Sequence, residues 1–188
     1  MTAGFENSKQ RRRFGMKRKL TAQVCLLLGC LFLPLGAAAQ SCNSSILPTS
    51  PDAAFTIHGD GTATHKATGL MWMRCSLGQT WDGKTCRGEV TVYPWGVALQ
   101  TARTLEFAGY KDWRVPNKNE LETLFEGACS FPSINSQVFP ATPAAFFWSS
   151  SPYAGQDNGA WSLDFGYGSV NASVKNGSLH VRLVRGGR

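Results

Sequence analysis

"GYKDWRVPNKNEL", residues 109–121, is the stretch on which the fold turns. Asp112 to Val115 form a short extended run, and Pro116 keeps Val115 extended because its ring clashes with a helical residue before it. Asn117 can then cap a helix, with Glu120 three positions on reaching back to the cap's own amide. Leu121, Leu124 and Phe125 follow at helical spacing, which predicts a helix over 117–127 with those three side chains buried. Its carboxylates have plain uses, Glu120 in the cap and Glu122 and Glu126 on a solvated face.

Upstream, "YPWGVALQTARTLEFAGY" (93–110) sets Trp95, Ala98, Leu99, Ala102 and Leu105 three and four apart, with Pro94 at its start and Gly109 just past its end. A first amphipathic helix is predicted there. Before it, "FTIHGDGTATH" (55–65) reads as two strands around Asp60-Gly61, a two-residue turn pair. Pairing 58 with 63 and 56 with 65 would set His58 and His65 on one face. "GLMWMRC" (69–75) adds a strand with Leu70 and Trp72 on one side. Downstream of a Pro-rich loop, 128–145, come "FFWSSS", "AWSLDF", "SVNASVK" and "SLHVRLVR", the last two joined through Asn176-Gly177 as another hairpin. The fold class is α+β: two helices with antiparallel sheets.

At the amino terminus, Met16-Lys17-Arg18-Lys19, an apolar run over 24–35 and Ala37-Ala38-Ala39 give the three-part layout of a secretory signal peptide, with cleavage expected after Ala39 and Met16 an alternative start. The run is shorter than the ~20 residues a membrane-crossing helix needs, so no permanent span is expected. Segment 1–39 carries seven of the nineteen basic residues and one of the twelve acidic ones, so the +7 of the whole chain falls to about +1 beyond it. Without a basic field on the folded part, nucleic acid is excluded as a partner. Residues 40–52, rich in Ser, Pro and Asn, read as a linker, and the domain as 53–188. Cys42, Cys75, Cys86 and Cys129 remain after export, without the paired spacing of zinc or thioredoxin-like sites. They are expected as structural disulfides, Cys75 with Cys86 around "SLGQTWDGKT" and Cys42 with Cys129.

"GDGTATHKATGLMWMRC", "AGYKDWRVPNKNEL", "FPATPAAFFWSSSP" and "VRLVRGG", in that order, resemble the Lcl C-terminal domain family, also known as DUF1566, of secreted and surface bacterial proteins. The resemblance runs from about Phe55 to Gly187. It implies a C-type lectin-like fold, in which residues 109–121 are scaffold, Trp113 is a core aromatic and Arg114 meets a carboxylate or carbonyl. "DWRVPNKNEL" is also similar to the Arg-Leu-Pro-x-x-x-Glu motif of formylglycine-generating enzymes. Those enzymes use a late cysteine pair, and here no cysteine follows Cys129. The role the family implies is adhesion to glycans or other surfaces.

No catalytic set assembles in the sequence. Its serines lack the strained turn and neighbouring base of a hydrolase, and two histidines fall short of a zinc site. No enzyme activity, cofactor or metal is expected. The ligand-binding candidates are Tyr153, Gln156, Asp157 and Asn158 in "SPYAGQDNG" (151–159) and Tyr167 in "FGYGS", since an aromatic ring beside amide and carboxylate groups suits a sugar. These predict one surface from 151–159 and 166–168, on a secreted or periplasmic binding module for an extracellular glycan or, alternatively, a surface protein.

Overall fold

The computed structural model describes residues 39–187, so the segment read as a signal peptide lies outside the described residues but for Ala39. The element order is β1 (Ser41–Cys42), a 3-10 turn (Asp52–Ala54), β2 (Phe55–Ile57), β3 (Thr62–His65), β4 (Met71–Met73), β5 (Thr80–Trp81), β6 (Cys86–Arg87), α1 (Trp95–Thr104), α2 (Lys118–Glu122), β7 (Cys129–Ser130), β8 (Phe146–Pro152), β9 (Gly159–Asp164), β10 (Ser169–Val174) and β11 (Val184–Arg185). Two antiparallel sheets carry the fold, one of order β11-β4-β3-β2 and one of order β10-β9-β8, with the small pairs β1-β7 and β5-β6 beside them.

The three-stranded sheet is covered on both faces, which explains why "FFW" shows no alternation. Phe147 and Leu163 point into one core with Trp72, Leu121, Leu124 and Phe165. Their neighbours Trp148 and Ala160 point into a second core with Trp113, Ala98, Ala102, Val181 and Leu183. Helix α1 reaches this second core through alanines at 98 and 102, small enough to bring its axis close. It ends at Thr104, earlier than expected, because Phe107 and Tyr110 exchange backbone hydrogen bonds of 3.0 Å around Ala108 and Gly109, both at positive φ.

Residues 109–121 are spent internally. Asn117 and Glu120 close the capping box, Trp113 is buried, and the Arg114 guanidinium donates to both Glu120 oxygens at 2.7 Å and to Gly186 O. Regular helix stops at Glu122, short of the predicted 127, because 124 and 125 bond to carbonyls three residues back. Glu126 is buried rather than solvated: its carboxylate accepts from the Thr49, Ser50 and Ala128 amides. Those bonds fasten 40–52 to the domain, together with Gln40 Nε2 on Pro132 O and Ile134 O and the pairing of β1 with β7. The linker is therefore a strap laid on the fold. Both disulfides, Cys42–Cys129 and Cys75–Cys86, are formed, which points to an oxidising, extracellular or periplasmic setting.

Two expectations fail on register. β2 pairs with β3 through Phe55↔His65 and Ile57↔Ala63, one residue off the predicted pairing, because Gly61 alone takes positive φ in a longer turn. A one-residue slip reverses a side chain's face, so His58 and His65 lie on opposite faces; His58 Nε2 contacts Thr64 Oγ1 and His65 Nδ1 contacts Thr68 Oγ1. The Asn176-Gly177 hairpin is likewise absent. After the turn the chain crosses to the far edge of the sheet, where His180 lies parallel to Phe147 and exchanges backbone bonds with Phe146 and Trp148, before Val184 joins β4. Val181, Arg182, Leu183 and Val184 are fully buried, and the exposed flank of β10 could not cover them.

Arg182 holds this crossing. Its guanidinium donates to Met73 O, Arg74 O and Thr142 Oγ1 and lies 4.8 Å over the Phe139 ring. Burial lowers its pKa from the usual arginine value to about 9, so it stays charged at neutral pH.

Candidate ligand-binding site

The five predicted ligand residues do not form one surface. Tyr153 is half-buried, its ring set edge-on to Trp161 at 4.8 Å, and the following turn closes so tightly that a Cβ on Gly155 would lie 2.6 Å from that ring. Gln156, Asp157 and Asn158 form an exposed tip, and Lys175 binds the carbonyls of the last two through Nζ and its backbone amide. Tyr167 is 73% exposed, against Phe131, in the loop that follows β9, whereas 153–158 precede it. The length of β9, ~17–20 Å at ~3.4 Å per residue, holds the two groups apart.

Rings and carboxylates meet instead in a cleft of about 310 Å³ between the disulfide-closed loop and the end of α1. Trp81, Leu105 and Phe107 stand in its apolar walls, and its polar residues are Asp60, Gln79, Thr80 and Glu106. Gly61 makes the walls possible, because a Cβ there would sit 2.7 Å from Trp81 Cγ and 3.0 Å from Phe107 Cζ, and its φ of 88° already suits glycine. Trp81 is fixed by an indole N–H bond of 3.0 Å to Gly59 O. The Arg74 guanidinium lies 4.2 Å from its ring and is itself anchored on Val138 O and Gln137 O. Asp60 spends Oδ1 on the Thr62 amide and hydroxyl, and Oδ2 has no partner among the described residues. Among the described residues Glu106 makes one ion pair, with Lys111 at 2.6 Å, both side chains mostly exposed, a pair that solvent makes weak.

A larger cavity of about 460 Å³ lies under the strap, but no aromatic ring lines it. Its polar groups are also occupied with one another: Asn135 Nδ2 donates to Asp52 Oδ1 and Ser50 O, and Gln40 bonds Ser136 and two carbonyls. The smaller cleft is thus the better equipped. Among the described residues no group of three or more His, Cys, Asp or Glu is placed to hold a metal ion, and no helix is long and apolar enough to cross a membrane.

The Lcl C-terminal domain matches the chain over residues 61–185, a span that runs from the cleft's Gly61 through both helices to β11. The chain belongs to the Lcl C-terminal domain family. No curated protein matches it. Nothing local in the sequence joins Asp60, just ahead of this matched span, to Trp81, Glu106 and Phe107 inside the Lcl C-terminal domain. One signal for them was present: Trp81 is a large aromatic in a loop of glycines and polar residues tied by its own disulfide, where a tryptophan has little core to fill.

Proposed function

We propose that this Lcl C-terminal domain is a C-type lectin-like extracellular module, exported by cleavage after Ala39, that acts by binding a neutral glycan rather than by catalysis. The observation that supports it is the Trp81 cleft, where aromatic rings meet two carboxylates, Asp60 with Oδ2 unspent and Glu106 held by an exposed ion pair, in a concavity at the small end of the ligand-pocket range. A pyranose would lay its C–H face on Trp81 and Phe107 and donate hydroxyl protons to Asp60 Oδ2 and Glu106, which as carboxylates can only accept. Those two charges would repel sulfated or uronic sugars. The tip at 156–158 is exposed and lines neither cavity, so it offers a ligand less burial.

A glycan array of neutral and sulfated sugars, probed with wild type and Glu106→Gln, tests this. Binding to neutral glycans, weakened at least about tenfold (~1.4 kcal/mol) by the substitution, is the expected outcome. Binding confined to sulfated glycans, or equal binding by the variant, would refute it.

A further inference from the structure

We propose that the outer edge of β10 is a self-association surface, to which a second copy of this chain adds its own β10 antiparallel about a two-fold axis at Asn171. This goes beyond ligand binding and does not depend on it.

β10 ends the order β10-β9-β8, and the opposite edge of that sheet is occupied by His180 running alongside β8. Lys175 N–H donates to Asn158 O, and 175 continues the β9–β10 register. Odd-numbered residues of β10 therefore turn their peptide groups toward β9. By alternation, Val170 and Ala172 turn theirs outward. Natural edges are blunted by charge, proline or a bulge. Here Ser-Val-Asn-Ala-Ser-Val (169–174) has no charge and no proline, and its register with β9 is unbroken. Val174, next to this edge, is 45% exposed.

The sequence says which strand fits. Around Asn171 the residues are Ser169, Val170, Asn171, Ala172 and Ser173, the same classes read in either direction. A two-fold axis requires such self-complementarity; a strand from another protein would not. With Asn171 facing Asn171 of the second copy, Ser169 faces Ser173 and Val170 exchanges both backbone bonds with Ala172. No like charges oppose. Such a dimer would carry two ligand clefts, so that weak single-site binding is multiplied by avidity.

Sedimentation velocity of the purified protein over a wide concentration range tests the surface. A monomer–dimer equilibrium is expected, and Ala172→Pro should raise its Kd at least about tenfold while the fold persists, since it deletes an N–H that points away from β9 at an edge where proline is tolerated. Asn171→Lys and Asn171→Glu should each be monomeric alone and dimerise when mixed, which keeps the test decisive if the proline variant unfolds. A wild type that stays monomeric throughout, or dimers indifferent to the position-171 charges, would overturn the proposal.

Discussion

Two regions of this molecule combine a tryptophan, an arginine and a carboxylate, to opposite ends. Around α2, Trp113 is buried, Arg114 grips Glu120 at 2.7 Å through two bonds, and Glu120 caps the helix. Around the cleft, Arg74 lies on Trp81 and is satisfied by carbonyls, so Asp60 Oδ2 and the mostly exposed Glu106 carboxylate keep capacity for a ligand. Residue type is the same in both places. What differs is whether each donor and acceptor is already used inside the fold, and that decides whether a constellation is scaffold or site.

Substitutions in the first region should therefore cost stability, and those in the second should cost binding. The largest effect is expected at Trp113→Ala, about 3–5 kcal/mol for a large buried aromatic. In thermal melts that is a fall of ~10 °C at ~2–4 °C per kcal/mol; a fall of only a degree or two would break the comparison. Replacing both Cys42 and Cys129 by serine removes a bridge across a sequence separation of 87, worth ~4 kcal/mol on the chain-entropy account. Chemical denaturation should register it.

Glu120→Gln comes next. Burial pushes the Glu120 pKa up, but the Arg114 hydrogen bonds, the Asn117 amide and the Arg114 charge together hold it below the ordinary glutamate value. A carboxyl depressed in the folded state adds stability above its unfolded pKa of about 4.5 and loses it as pH falls through the folded value. Wild type should then destabilise below pH ~4.5 more steeply than Glu120→Gln, and parallel acid limbs would contradict the pair's role. His180 adds a gentler slope at higher pH. Burial lowers its pKa, outweighing the opposing contact with Phe146 O, so its contribution is whole above 6.5 and declines below. His180→Gln should flatten the melting-temperature profile there. Smallest of all, Glu106→Gln should change stability by no more than ~0.5 kcal/mol.

Local chemistry made the first region legible in the sequence. The Pro116 restriction, the Asn117–Glu120 box and the stripe at 121, 124 and 125 act within a few residues of one another, so their reading survives in space. One disulfide is legible for a similar reason, since Cys75 and Cys86 flank one loop, and Cys42–Cys129 is the pair that then remains. What escaped depends on distant contacts. Whether Asn176-Gly177 makes a hairpin rests on where Val181 to Val184 find burial, and that requires the second sheet. Glu126 reads as solvated until the strap's amides arrive at Thr49 and Ser50. The cleft joins residues 60, 81 and 106, which nothing local connects, while the predicted set joined Tyr153 to Tyr167 across a strand whose length keeps them apart.

The measurement that tests the cleft most directly is a titration of the ¹⁵N-labelled protein with a neutral oligosaccharide that it binds, followed by amide and indole N–H shifts. The largest movements should fall on Trp81 Nε1–H, Gly61 and Phe107, with the Trp113 indole and the capping-box amides of Asn117 and Glu120 unmoved. Shifts gathered instead at Gln156, Asp157 and Asn158 or at Tyr167, with the Trp81 indole still, would contradict this account.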